Sequence, residues 1–146
     1  MKKKFIWLGA LLTLLALPLP ASAGPIQATL YKNPQCTCCE AYADYLRENG
    51  FEVDVKTTDD LEGITLKAGV PEQLEGCHTM FVDNYIVVGH VAAEILSKLL
   101  KERPPIVGIA IPGMPSGVPG MSGPKEGSIS IYAVSKDNAP TIYAAQ

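Results

Sequence analysis

The chain has 146 residues, 47% of them hydrophobic and 18% charged, with 12 basic residues against 15 acidic ones and a net charge of −3. Such a length suits one domain with one modest core, and no second domain is expected. The acidic balance excludes the broad basic face on which nucleic-acid binding depends.

Lys2, Lys3 and Lys4 form a positive start, Phe5 to Leu19 is almost wholly apolar, and Ala21-Ser22-Ala23 is an A-x-A cleavage signal. Together they predict a signal peptide over residues 1–23, removed on export, with a retained anchor as the alternative. The apolar run is shorter than the ~18–20 residues that cross a bilayer, and no cysteine follows it at a lipoprotein position. Residues 24–146 are therefore expected to form a single domain in the periplasm, free of the membrane. Three of the 12 basic residues leave with the leader and no acidic one does, which takes the net charge to about −6.

Gln27 to Tyr31 reads as a short strand, broken by the turn Lys32-Asn33-Pro34-Gln35. A helix follows, with Cys38, Tyr42, Tyr45, Leu46 and Asn49 on one face and Asn49-Gly50 as its stop. Phe51 to Lys56 alternates apolar and polar residues, as a half-buried strand does. Thr58-Asp59-Asp60 can cap a short helix over Leu61, Ile64, Thr65 and Ala68, which Gly69 ends. Thr79 to Val82 and Tyr85 to Val88 form a hairpin about Asp83-Asn84. A last helix begins near Val91, with Ile95, Leu96, Leu99 and Leu100 as its stripe, and Pro104-Pro105 stops it. The order β-α-β-α-β-β-α is that of a thioredoxin-like α/β fold.

Beyond it, the 21 residues from Pro104 to Pro124 contain six Pro and five Gly, too many for a regular helix or a central strand, so a Pro/Gly-rich loop is expected there. Pro112-Gly113-Met114 recurs as Pro119-Gly120-Met121. Ile129 to Val134 is expected to return as an extra edge strand, with a turn at Asn138-Ala139-Pro140. The final residues carry little signal.

Three of the four cysteines fall within Cys36-Thr37-Cys38-Cys39, and the fourth is Cys77. Disulfides that stabilise a fold by closing long loops are not crowded into four residues, so the cluster points to chemistry. It sits at a predicted helix start, where exposed amides and the macrodipole favour thiolates. Cys36 and Cys39 form a C-x-x-C pair able to exchange disulfides, but Cys38 would then be a liability able to form wrong bonds. As a soft-metal site the same three sulfurs select Cu(I), or with less selectivity Zn, over hard cations.

Cys77, just before the hairpin, belongs to the segment that a thioredoxin layout brings to the same helix start. Cys38 and Cys39 point differently and suit bridging several Cu(I) ions. The plain alternative is a pair of disulfides joining all four cysteines without metal. His78 and His90 flank the hairpin and are candidate imidazole ligands or their supports. Met114 and Met121 carry soft thioether donors, whereas Met80 lies within a strand pattern and belongs to the core.

Tyr31 to Cys39, Cys77-His78-Thr79, Gly89-His90 and Pro112-Gly113-Met114-Pro115, in that order, resemble the CopG-type family of small periplasmic copper-resistance proteins. The resemblance implies a thioredoxin-like fold, copper(I) held by cysteine sulfur, and a part in copper tolerance through redox interconversion of copper or disulfides. By position it makes Cys36, Cys38, Cys39 and Cys77 the sulfur ligands, with His78, His90, Met114 and Met121 around them. Copper ions, several per chain, and other periplasmic copper-handling proteins are the implied partners. Two rival functions remain: a thiol-disulfide oxidoreductase using Cys36 and Cys39, and a disulfide-stapled module whose Pro/Gly loop binds another protein. A thioredoxin's proline before the third strand is missing, Cys77-His78-Thr79 standing there instead, which weakens the case for peptide-disulfide binding.

Overall fold

The computed structural model describes residues 24–136 and 138–146; the predicted signal peptide lies outside the described residues. The first seven elements follow the predicted order. They are strand β1 (Ile26–Lys32), helix α1 (Thr37–Glu48), strand β2 (Phe51–Thr57), helix α2 (Leu61–Lys67), strands β3 (His78–Val82) and β4 (Tyr85–Val88), and helix α3 (Ala93–Glu102). A single 3-10 turn, Glu72–Leu74, precedes β3. Among the described residues no helix is long and apolar enough to cross a membrane.

Local signals account for the boundaries. Asp60 caps α2 by accepting from the Gly63 N–H at 3.1 Å. The hairpin residue Asp83 takes φ 51°, as a tight connection between twisted strands demands. Arg103 ends α3 in the left-handed region before the two prolines forbid another turn.

Two expectations fail beyond α3. A strand β5 (Gly108–Ala110) lies inside the supposed loop and is central to the sheet, between β4 and the strand β6 (Ser130–Val134). The prolines cluster on either side of Ile106 to Ile111, so the segment's average composition hides a proline-free apolar run. Gly108 packs so close to the Ile86 backbone that a Cβ would collide with the Ile86 carbonyl oxygen. The expected edge position of β6 is likewise corrected: β7 (Thr141–Ala145) pairs with it and takes the edge.

One mixed sheet results, in the order β2-β1-β3-β4-β5-β6-β7. β1 runs parallel to β2 and β4 to β5, and the other neighbours are antiparallel. Alternation along the strands divides the apolar side chains between two layers. Leu30, Met80, Val82, Val87 and Ile109 meet α1 and α3 on one face, whereas Ile86, Val88, Ala110 and Val134 meet Val70 and Leu74 on the other. Met80 is a core residue, as expected. Lys32 and His78 are paired across β1 and β3 and share the parity of Leu30 and Met80, so both side chains face the start of α1.

Candidate metal centre

The cysteine cluster is presented by the turn between β1 and α1, where the Cys36 N–H donates to the Asn33 carbonyl at 3.1 Å. The buried Lys32 pins this turn: its ammonium donates to the Asn33 and Pro34 carbonyls at 3.4 and 3.5 Å and pairs with Glu40 at 3.2 Å. Sequence reasoning passed over Lys32, because only the strand's parity shows it turned inward. Cys36 precedes the first helical residue in an extended conformation, and its sulfur is bonded to Cys39. Cys38 and Cys77 are free thiols. A framework of two disulfides joining all four cysteines is therefore not what the structure contains.

The buried face of α1 is Cys39, Tyr42, Ala43 and Leu46. The predicted face through Cys38 and Asn49 is thus displaced by one residue: Asn49 is exposed and Cys38 only half-buried. This displacement divides the vicinal pair. Cys39 is fully buried, while Cys38 lies 3.4 Å from the Cys36 sulfur and lines an open groove of about 570 Å³.

Cys77 arrives from the other side, in the last residue before β3. The sulfurs of Cys36, Cys38, Cys39 and Cys77 lie within 4.8 Å of one another, as do the donor atoms of Cys39, Cys77, His78 and His90. Two four-donor groups therefore share Cys39 and Cys77. The Cys77 sulfur is 3.3 Å from His90 Nε2 and 3.7 Å from His78 Nδ1. Among the described residues His78 Nε2 is buried with no hydrogen-bond partner, on a ring that is wholly inaccessible. Tyr42 backs the group. Its ring centroid lies 5.0 Å from that of His78 and 4.7 Å from that of His90, and its hydroxyl donates to the Val91 carbonyl at 2.8 Å.

Burial sets the protonation states. It is the main reason the His78 imidazole falls to about 3, with the neighbouring His90 adding to it, and it lowers His90 as well. Both shifts favour the neutral ring, the form that ligation requires. Burial first, then the adjacent Cys38 thiol, push Cys77 up to about 12. A soft cation supplies what that thiol lacks, since metal binding displaces the proton and neutralises the buried thiolate.

The methionines part company. Met114 is 61% exposed and lines the groove with Cys36, Cys38, Cys77 and Glu75. Met121 stands in a turn, its N–H donating to the Val118 carbonyl at 2.9 Å, and does not line that groove.

Residues 74–121 match a family described as a protein of unknown function, DUF411; the segment contains Cys77, both histidines and both Pro-Gly-Met turns. No curated protein matches the chain. Two solved structures, Copper resistance protein copG Form 2 and Form 1, are each 32% identical, with 84% of this chain and 98% of theirs covered and a TM-score of 0.77. The shared fold, the near-complete coverage and the cysteine cluster together establish that this chain belongs to the CopG-like family of copper resistance proteins.

Proposed function

We propose that the chain is an exported copper(I)-binding protein of copper resistance, acting in the periplasm and holding several Cu(I) ions in a cysteine-thiolate cluster. The observation that carries this reading is the pair of four-donor groups sharing Cys39 and Cys77. Cu(I) prefers polarizable sulfur at low coordination number, and shared sulfurs bridge ions that sit close together. Cys36, Cys38, Cys39 and Cys77 are the sulfur ligands, His78 and His90 supply imidazole, and Met114 and Met121 offer thioethers around them. Copper ions, and other periplasmic proteins that hand them on, are the partners. The likeness to copper resistance proteins supports the choice of metal, and the leader-like residues 1–23 support export.

The Cys36–Cys39 bond adds a redox capacity. Closing it from two thiols gives up two electrons and two protons, enough to reduce two Cu(II) to Cu(I).

That same bond favours a second reading, a thiol-disulfide oxidoreductase in which half-buried Cys36 attacks and buried Cys39 resolves. Anaerobic titration of the fully reduced chain with Cu(I) against a competing chelator separates the two. Retention of more than one Cu(I) per chain, reduced by Cys38→Ser, is expected. Failure to hold Cu(I) against the chelator, with disulfide exchange that survives Cys38→Ser and disappears in Cys36→Ser, would establish the second reading instead.

A further inference from the structure

Neither Pro-Gly-Met turn need act through its sulfur alone. In the second, Val118 to Met121, the Met121 N–H closes the turn on Val118, Pro119 precedes Gly120, and Gly120 has φ +78°. Proline followed by a residue at positive φ is the type II arrangement, whose central peptide is flipped relative to type I. The Pro119 carbonyl, aimed by that flip, lies 2.6 Å from His90 Nδ1. A carbonyl can only accept, so Nδ1 carries the proton and the lone pair is left on Nε2, the atom facing Cys77. Gly120 cannot be replaced cheaply: a Cβ would stand 2.7 Å from the Tyr42 nitrogen and 3.1 Å from the Cys38 carbonyl oxygen. The turn is thereby pressed onto the first turns of α1.

A second segment holds the same residue from behind. The Gln146 amide donates to the His90 carbonyl at 3.0 Å and accepts from the Ala92 N–H at 2.8 Å. α3 has no side-chain cap of its own, so Gln146 and the Tyr45 hydroxyl, 3.1 Å from the Ala93 N–H, satisfy donors that its start leaves open.

We propose that the Val118–Met121 turn, through the Pro119 carbonyl, and Gln146, through the His90 backbone carbonyl, are positioning elements: the first holds the ring in a single tautomer and the second holds the residue so that Nε2 is directed at Cys77. The proposal rests on the reading above only in taking His90 as a copper ligand; the tautomer itself is a property of the metal-free chain. Outer hydrogen bonds of this kind fix ring orientation and typically change metal affinity by ~10–100-fold.

Nitrogen-15 NMR of the metal-free chain at neutral pH tests the first half. Wild type is expected to show His90 protonated on Nδ1, and Gly120→Ala to shift the ring toward Nε2 protonation or a mixture. A wild-type His90 protonated on Nε2 overturns the proposal whether or not the chain binds copper. Cu(I) competition tests the second half. Gln146→Ala, which alters no packed backbone, should weaken Cu(I) binding ~10-fold, and should change nothing further in a His90→Ala background. Equal losses in both backgrounds overturn the positioning role in favour of a general structural one.

Discussion

The two sides of the candidate metal centre are built differently. On the α1 side, Cys36 and Cys38 lie at a groove and Cys36 is bonded to Cys39. On the strand side, His78 and His90 are buried against Tyr42, the Pro119 carbonyl and the Gln146 clamp, and Cys77, a free thiol that also reaches the groove, stands beside them. Under the copper-binding function proposed above, the two sides divide the work: donors that alter their bonding, and donors that keep their places while this happens.

Removing Cys77 attacks the contrast most directly, because its sulfur belongs to both donor groups. Cys77→Ser should lower Cu(I) affinity by more than the ~100-fold that marks the upper range for outer-shell partners. Cys38→Ser should cost less, since it leaves Cys39, Cys77, His78 and His90 intact. Chelator competition on the reduced variants measures both, and equal losses would dissolve the distinction between the two sides.

Tyr42→Phe sharpens the claim that the strand side is rigid. It keeps the ring against both histidines and deletes only the bond to the Val91 carbonyl. Chemical denaturation of the metal-free chain should register a loss of about 1–2 kcal/mol, the cost of stranding one buried acceptor. An unchanged midpoint would show that the backbone before α3 is held without the phenol.

The smallest effect concerns pH. His78 is held near 3 in the folded chain against about 6.5 when free, so the unfolded chain takes up the proton first. Stability is complete above neutrality and declines as pH falls through 6.5 towards 3. Between pH 6.5 and about 5.5 the loss from His78 is roughly 1 kcal/mol. Denaturation of the metal-free protein across that interval should show it, and His78→Gln should remove that contribution.

Much of this was legible in the residues themselves. Alternation and helical spacing located the first seven elements, because each buries one face and the others do not. The convergence of Cys77 with the cluster followed from element order. β5 was hidden because prolines on either side of it raised the average of a window that it interrupts. The face of α1 was misjudged by one residue, since Cys38 and Cys39 are equally apolar and only packing against the sheet decides between them. The roles of Tyr42 and Gln146 were invisible for a different reason: each acts on backbone groups distant in sequence, and composition does not encode a partner 49 or 56 residues away.

The complete burial of Cys39 beside the accessible Cys36 also makes the disulfide directional. An incoming nucleophile reaches only the outer sulfur, so a mixed disulfide forms on Cys36 and Cys39 is the leaving group. Once the bond is open, alkylating reagents should mark Cys36 and Cys38 well before Cys39, giving a chemical clock for how often the interior of the cluster is uncovered.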